Sequence, residues 1–201
     1  MATKIGTAAD ILAEIGGATF SGNVVLTANV TNAAELATLN NKVTGTITLH
    51  NYSQNFTGVG AATTANLIDA LKGIKGFKGN LEATTTVTVA DLKALKASTQ
   101  GDLTLSAAAL ASKFENVKAA DILAAFKDVN GAMTGIITIS NKENISLAQA
   151  ESLSALTTGI VTATLAPATA ADLLAATFKA TDVLSVTVKG AYTSTELIAL
   201  D

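Results

Sequence analysis

A short pattern recurs about seven times along this chain and constrains its fold more than any other feature. The pattern is a glycine, any residue, an apolar residue, any residue and a second apolar residue. Strict alternation with many β-branched side chains predicts half-buried strands, and the glycine predicts a turn into each strand. The pattern falls in segments 22–28, 45–50, 79–86, 101–106, 135–140, 159–165 and 182–188, and Asp182 replaces the glycine in the last of these.

A second pattern lies between the strands and is typical of a helix start. A polar residue, usually threonine or asparagine, is followed three residues later by an acidic residue, and then by apolar residues. The arrangement resembles a helix cap, and a negative charge is favourable near a helix N-terminus. These acidic residues occupy the same position in successive repeats, so their surroundings should be alike. General acid–base catalysis needs two carboxyl groups in unlike environments, and we therefore assign these acids to capping. They are Asp10, Glu35, Asp91, Asp121, Asp172 and Glu196.

The repeated units alternate between a short and a long form. From Gly22 to Gly45 the chain advances 23 residues, and from Gly45 to Gly79 it advances 34. The same alternation continues to the C-terminal side, so the higher-order period is two units. The additional residues of the long units, 51–60 and 107–116, precede the helix pattern. We predict that they form a loop or an added turn.

Strands that alternate with helices predict right-handed βαβ crossovers and a mainly parallel sheet. The strands have one apolar face only, whereas strands covered on both faces are continuously apolar. We therefore predict an α/β fold: a repeat solenoid of about seven helix–strand units in a single domain, 1–201, with helices on one face of the sheet. This architecture is in the general style of leucine-rich repeats, although the sequence pattern lacks their asparagine ladder.

The outer face of the predicted sheet carries small hydroxyl side chains with few charges. Two interpretations stay open: these residues are good strand formers tolerated in water, or they form a surface for another protein, a carbohydrate or an ordered water lattice such as ice. The candidate interaction face consists of Thr27, Thr48, His50, Thr84, Thr104, Thr138, Thr162, Thr164 and Thr187.

Composition argues against several classes of function. All 13 basic residues are lysine and the net charge is −3, so nucleic acid is not an expected partner. Without cysteine the chain has no disulfide and no thiolate site, and its one histidine, His50, lies in a Thr/Ser position of the sheet. No apolar segment has the length of a membrane helix. We expect no enzyme, no cofactor, no metal dependence and no membrane insertion.

The two terminal segments lead to further expectations. Residues 1–6 lack the apolar stretch of a signal peptide, so the chain is cytoplasmic, exported by another signal, or cut from a longer protein. The chain is expected to open almost directly in a helix at Thr7 and to stop inside another that contains Leu197 and Ile198. Repeat stacks without polar capping repeats expose apolar surface. We therefore predict an end-to-end homo-oligomer or polymer with Leu197 and Ile198 at one assembly end.

Several units resemble a known class of repeat, and segments 87–95, 156–164 and 169–175 carry the resemblance. They are similar to the Ala/Thr-rich repeat modules of large secreted bacterial surface proteins, the hemolysin-like, surface-layer-like and adhesin-like proteins common in cyanobacteria. The resemblance covers nearly the whole chain and is one of composition. It implies an extracellular or cell-surface location and a structural or adhesive role, and it transfers no catalytic residue.

Overall fold

The computed structural model describes residues 1–200 and shows an α/β protein whose strand pairings are all parallel within those residues. The predicted class and the parallel sheets are confirmed. The strands are β1 Thr3–Gly6, β2 Asn23–Leu26, β3 Ile47–Thr48, β4 Leu81–Ala83, β5 Leu103–Leu105, β6 Phe114–Val117, β7 Val129–Asn130, β8 Ile137–Ile139, β9 Asn144–Ile145, β10 Val161–Leu165 and β11 Val183–Ser185. Each of the seven predicted strand segments contains one of them.

The helices lie between the strands, and most begin where the capping pattern predicts. They are α1 Ala8–Ile15, α2 Ala33–Lys42, α3 Thr64–Leu71, α4 Val89–Ser98, α5 Ala107–Leu110, α6 Ala119–Phe126, α7 Leu147–Leu156, α8 Ala170–Ala175 and α9 Ser194–Leu200. A single 3₁₀ turn covers Gly58–Gly60 in the described part of the chain. Within residues 1–200, every helix is too short or too polar to cross a membrane.

The chain divides into two compact units. The first contains Met1–Ala109 and Asp128–Gly131, with two sheets of strand order β1-β2-β3 and β4-β5-β7. The second contains Leu110–Lys127 and the residues from Ala132 onward, with one sheet of order β11-β10-β8-β6 in which β9 also pairs with β10. The single repeat domain expected over 1–201 stays a prediction.

The first strand corrects the expectation that the chain opens directly in a helix. Residues Thr3–Gly6 form β1, which precedes α1 and pairs with β2 so that Ile5 lies opposite Val25. The segment escapes the repeat pattern because it contains one apolar residue, Ile5, and that side chain is 70% exposed on an edge strand. Inside the unit, Lys4 forms an ion pair with Glu14 and lies 5.2 Å from the centre of the Phe20 ring.

The additional residues of the long units differ between the two copies. Segment 51–60 is a loop with a 3₁₀ turn, as predicted, whereas segment 107–116 contains helix α5 and the start of β6, which corrects the expectation there. Phe56, within segment 51–60, forms a parallel bridge to Leu81, and Phe114, within segment 107–116, belongs to β6. Phe56 forms only this isolated bridge, whereas β6 is an edge strand of the sheet in the second unit. Both rings are buried: Phe56 stacks on Phe77 at 5.5 Å between ring centres, and Phe114 meets Phe126 edge-on at 5.4 Å. The long form of the unit is thus a short unit with one more strand position.

Side-chain caps hold the helix starts, as the sequence predicts for five of the six acidic motifs. The capping residues Thr7, Asn32, Thr88, Thr169 and Thr193 each accept a hydrogen bond from the backbone N–H three residues later. The sixth motif differs because lysine offers no acceptor: Lys118 makes no cap. Instead Glu143, from the next repeat, accepts from the N–H of Ala119 at 3.1 Å.

The two faces of the strands differ in burial as the alternation predicts. The inward residues Leu103, Leu105, Ile137 and Ile139 are at most 5% exposed. Their outward neighbours Thr104 and Thr138 are half-buried. Burial of a complete apolar side chain stabilises a fold by about 1.5–3 kcal/mol, so the inward column supplies much of the stability of each sheet.

The glycines of the repeat stand where successive strands approach most closely. A Cβ atom placed on Gly45 would lie 2.2 Å from the carbonyl oxygen of Gly22, and one on Gly135 would lie 1.8 Å from the carbonyl oxygen of Ser112. No side chain fits at such distances. The pattern therefore requires glycine because of the neighbouring backbone, and not only because of a turn.

Replacing Gly45 with alanine is expected to lower the free energy of unfolding by about 1–3 kcal/mol, since the methyl group must displace the Gly22 backbone. Gly17→Ala is the matched control: a Cβ there meets nothing within 4 Å, and the change should stay within about 0.5 kcal/mol. Urea unfolding followed by circular dichroism measures both. Equal losses in the two variants would contradict the close approach of the strands.

Candidate functional site

The outer face of the sheets is the first candidate site. The observed strand pairings place different hydroxyl residues side by side than the alignment of the repeated units predicts. Among the predicted residues, the registers place Thr138 directly opposite Thr162. The other members of the same register lines are mixed in chemistry. The three lines are Ile5, Val25 and Thr48; then Glu82, Thr104 and Asn130; then Glu115, Thr138, Thr162 and Val183.

The last strand is offset from the predicted alignment. The sequence pattern places Ser185 beside Thr162, but the structure pairs Thr162 with Val183 and Thr164 with Ser185. An offset of two residues keeps each side chain on its predicted face and moves it to the next register line. Thr164 also lies opposite Asn144 of β9.

Exposure separates the candidate residues into two groups. Thr27, Thr48, His50 and Thr187 are exposed, whereas Thr84, Thr104, Thr138, Thr162 and Thr164 are half-buried. The charged member of the face has a structural contact, because the Glu82 carboxylate accepts a hydrogen bond from the N–H of Gly58 at 2.8 Å. The face is therefore a set of local polar groups within each sheet.

The capping acids are committed to local backbone contacts. Asp91 accepts from the N–H of Thr88 at 2.9 Å and completes a capping box. The Glu196 carboxylate accepts from the N–H and the hydroxyl of Thr193, and these two hydrogen bonds, the backbone one first, lower the pKa of Glu196. With its pKa lowered in this way, Glu196 is poorly suited to deliver a proton near neutral pH.

Asparagine side chains connect strand positions in the first unit at three places. The side-chain carbonyl of Asn23 accepts from the N–H of Thr46 at 3.0 Å. In the same way Asn55 accepts from the N–H of Asn80 at 2.8 Å, and Asn80 accepts from the N–H of Asp102 at 2.9 Å. In each case the asparagine is the residue immediately before a buried inward apolar side chain, which is the signal that sequence reasoning missed.

A buried polar cluster surrounds Asp182 in the second unit, and sequence reasoning recorded this residue only as a departure from glycine. Its side chain is 1% exposed. One carboxylate oxygen accepts from the Ser154 hydroxyl at 2.5 Å, and the other accepts from the N–H of Val161 at 2.9 Å. The Lys179 ammonium lies 3.3 Å from the second oxygen. The same ammonium donates to the carbonyls of Ser154 and Thr157 at 2.8 and 2.7 Å, beside the C-terminal end of α7.

The register of β11 places Asp182 beside Val161, where its side chain takes the place of a backbone acceptor. In the preceding copy the N–H of Ile137 donates to the carbonyl of Ile160, on the next strand, at 2.9 Å. The equivalent donor on β10 is Val161, and it donates to the Asp182 carboxylate. The side chain of Asp182 thus replaces a strand carbonyl and joins β10 to the segment before β11.

Burial raises the pKa of Asp182, but the surrounding donors lower it by more. The Ser154 hydroxyl, the Val161 N–H and the positive charge of Lys179 all stabilise the carboxylate, so the net pKa lies below its ordinary value. A group with a depressed pKa in the folded state contributes stability above its unfolded pKa. That contribution is lost as the pH falls through the folded pKa.

The concave surfaces are small. A groove of about 220 Å³ in the first unit is lined by Ile74–Phe77 and 97–100, and one of about 340 Å³ in the second unit is lined by Glu151, Ser154, Thr177 and Lys179 with neighbouring residues. Within residues 1–200, no three histidine or acidic side chains converge as a set of metal ligands. Neither groove brings together the candidate residues of the sheet face.

No protein-family model, no curated protein and no solved structure matches this chain significantly. Its function therefore has to be argued from its own geometry.

Replacing Asp182 with alanine is expected to cost about 3 kcal/mol at pH 7, because it leaves buried donors and the Lys179 ammonium without their acceptor. The difference from the unmodified protein should shrink below pH 3.8, the ordinary pKa of the group, as its carboxylate becomes protonated. Urea unfolding at pH 7 and below pH 3 measures both effects. Asp102→Ala, at an exposed acid, is the control; a pH-independent loss in Asp182→Ala would contradict the role of charge.

Proposed function

We propose that this chain is a non-catalytic structural or adhesive repeat protein of the extracellular space or cell surface, which self-associates into a filament or a surface layer. We further propose that its units form one solenoid of about seven helix–strand repeats with the helices on one face. The resemblance to Ala/Thr-rich repeats of secreted bacterial surface proteins supports the location and the role. One structural observation supports the self-association: an apolar residue of α9 is exposed at a position that is buried in other helices of the chain.

Polar side chains that connect neighbouring repeats support a scaffold role. The Asn40 amide of α2 donates to the carbonyls of Asp69 and Lys72, at the C-terminal end of α3, at 2.7 and 2.8 Å. Lys42 donates to the Gly16 carbonyl, just after α1, at 2.7 Å. These contacts satisfy carbonyls that a helix leaves free at its end, and they join each repeat to the next. Such chemistry favours a rigid support over an adaptable catalytic site.

The uncovered position is the fourth residue after the cap of each helix. In seven helices this residue is buried, with an exposed fraction between 0% and 6%: Ile11, Leu36, Leu67, Leu92, Ile122, Ala150 and Leu173. In α9 the equivalent residue is Leu197, which is 40% exposed, and the adjacent Ile198 is 76% exposed. A position that is buried in these seven helices is here open to a partner. Contact between unlike surfaces of identical copies propagates into a filament or closes into a ring.

The double variant Leu197→Lys/Ile198→Lys is expected to convert an assembled protein into monomers, because two charges cannot be buried at the contact without partners. Light scattering coupled to size-exclusion chromatography, over a range of concentrations, measures the mass. Leu174→Lys, at a 42% exposed leucine of α8, is the matched control and should leave the assembly intact. An unmodified protein that remains monomeric at high concentration would overturn the proposal.

The second candidate function is a binding module that uses the hydroxyl face to recognise a glycan or ice. The directly opposed pair Thr138 and Thr162 favours it, because neighbouring hydroxyls at strand spacing form a small ordered array. If this face binds, Thr138→Val/Thr162→Val should abolish glycan-array signal or thermal hysteresis and leave the assembled mass unchanged. The absence of both signals in the unmodified protein would exclude this candidate.

A further inference from the structure

We propose that a lysine-rich loop of the first unit, together with the groove beside it, binds an acidic polysaccharide, a glycan whose sugars carry carboxylate or sulfate groups. The lysine loop, residues 72–79, reads Lys-Gly-Ile-Lys-Gly-Phe-Lys-Gly, so a lysine recurs at every third position, at Lys72, Lys75 and Lys78. The inference does not depend on self-association, and it concerns residues other than the hydroxyls of the sheet face.

Glycine turns give the lysine loop its shape. In the first turn, the N–H of Ile74 donates to the carbonyl of Leu71 at 3.0 Å. Between them, Lys72 has φ −57° and ψ 120°, and Gly73 has φ +76°. These values are typical of a type II turn, which favours glycine at its third residue. Gly76 has nearly the same φ, +75°, and likewise follows a lysine, so the loop presents lysine at a turn twice in succession.

Buried residues between the lysines fix the loop to the first unit. Ile74 and Phe77 are 8% and 0% exposed. The carbonyl of Phe77 accepts a hydrogen bond from the N–H of Gln100 at 2.9 Å. The N–H of Lys78 donates to the carbonyl of Tyr52 at 2.7 Å. A loop held at these points does not have to become ordered when a ligand binds, so less of the binding free energy is lost.

The three lysines are exposed, and internal ion pairs do not account for them. Among the described residues, none of their ammonium groups lies within 4.0 Å of a carboxylate. Lys72 directly follows α3, where a positive charge is favourable, but Lys75 and Lys78 lie beyond the last turn, to which that effect is limited. With three lysines and Asp69, segment 69–79 has a net charge of +2 in a protein of net charge −3. This local positive charge favours an anionic partner.

The groove beside the loop adds neutral polar groups. It has a volume of about 220 Å³ and is lined by Ile74–Phe77 of the loop and by residues 97–100, at the end of α4 and after it. The hydroxyls of Ser98 and Thr99 donate to backbone carbonyls at 2.7 and 2.6 Å, so their oxygens can still accept from a sugar hydroxyl. The exposed amide of Gln100 can both donate and accept. Lysine thus suits the acidic group of a sugar, and these neutral groups suit its hydroxyls.

The size of the groove and its surroundings favour a glycan over other anions. Pockets that enclose a small molecule usually have about 300–1,000 Å³, so this smaller groove suits one unit of an extended polymer. Nucleic acid is disfavoured because the chain has no arginine, and because the aromatic ring of the loop, Phe77, is buried and cannot stack on a base. An anionic membrane is disfavoured because lipid-binding segments usually carry about 4–8 basic residues.

Isothermal titration calorimetry of the purified chain tests the proposal with four probes: polygalacturonate, dextran sulfate, neutral dextran and a single-stranded DNA oligonucleotide. We expect binding to an acidic glycan that weakens as salt is added, since salt screens exposed charges. A preference between polygalacturonate and dextran sulfate identifies the acidic group as carboxylate or sulfate. Failure to bind either acidic glycan, or equal binding of neutral dextran, would overturn the proposal. DNA bound as tightly as the acidic glycans would overturn the assignment to a glycan.

Two triple variants separate the lysine loop from the net charge of the protein. The first replaces the lysines of the loop and is expected to lower the affinity about tenfold, because each exposed charge contact contributes modestly: Lys72→Gln/Lys75→Gln/Lys78→Gln. The control replaces three exposed lysines of the second unit, reaches the same net charge and should keep the affinity within about twofold: Lys113→Gln/Lys142→Gln/Lys189→Gln. Equal losses in the two variants would contradict a site at the loop.

Gln100→Ala tests the groove without a change of charge. The loss of one neutral hydrogen-bonding group should lower the affinity for the acidic glycan about threefold. Its backbone N–H still reaches the carbonyl of Phe77, so circular dichroism should show an unchanged fold. An unchanged affinity would contradict the part assigned to the groove. A protein that binds the glycan as a monomer at every concentration would overturn the proposed self-association and leave this inference standing.

Discussion

The close backbone approach at the repeat glycines is the constraint on which the other contacts depend. A Cβ atom on Gly45, Gly101 or Gly159 would lie between 2.2 and 2.6 Å from the carbonyl oxygen of the preceding repeat glycine. Because no side chain intervenes, consecutive strands are held at one separation and in one register. The inward apolar residues then stack in a column, and asparagine side chains such as Asn23 reach the next strand. Loss of this approach would weaken the column and the asparagine contacts together.

After the last of the repeat glycines, buried polar contacts take the place of the close backbone approach between neighbouring strands. Asp182 holds the segment before β11 through the Val161 N–H, the Ser154 hydroxyl and Lys179. A buried ion pair of this kind contributes to specificity of pairing as much as to stability, since a displaced carboxylate would lose all its donors at once. The two-residue offset of β11 is the structural consequence. The same offset brings the apolar Val183 into the register line of Thr138 and Thr162.

The proposed scaffold role follows from how the polar groups of the chain are used. Acidic residues cap helices, Asn40 and Lys42 join adjacent helices, and Glu143 caps a helix of the neighbouring repeat. These groups are committed to the fold, and the exposed large apolar side chains include Leu197 and Ile198 of α9. A surface of that kind suits association between copies better than recognition of a small ligand.

Much of the fold could be predicted because alternation and capping are local. The two-residue period places Ile137 inward and Thr138 outward whatever strand lies beside them. Threonine followed three residues later by an acid identifies a helix start, since the side chain contacts its own backbone. The cap at α6 escaped prediction because its acceptor, Glu143, lies 24 residues beyond the donor Ala119. For the candidate site, the sequence marks Asp182 as unusual and cannot reveal its partners.

The sequence by itself determined the seven strands of the repeated pattern, the starts of the six helices with an acidic motif, the inward and outward faces, and the need for glycine before most of these strands. Only the tertiary structure decided that Phe56 bridges to Leu81, that Phe114 joins the sheet through β6, that Thr138 meets Thr162, and that β11 is offset by two residues. The physical reason is that periodicity specifies the face on which a side chain lies but not its neighbour across the sheet. That neighbour is chosen by contacts between residues 20 or more positions apart, where backbone fit and buried hydrogen bonds outweigh local preference.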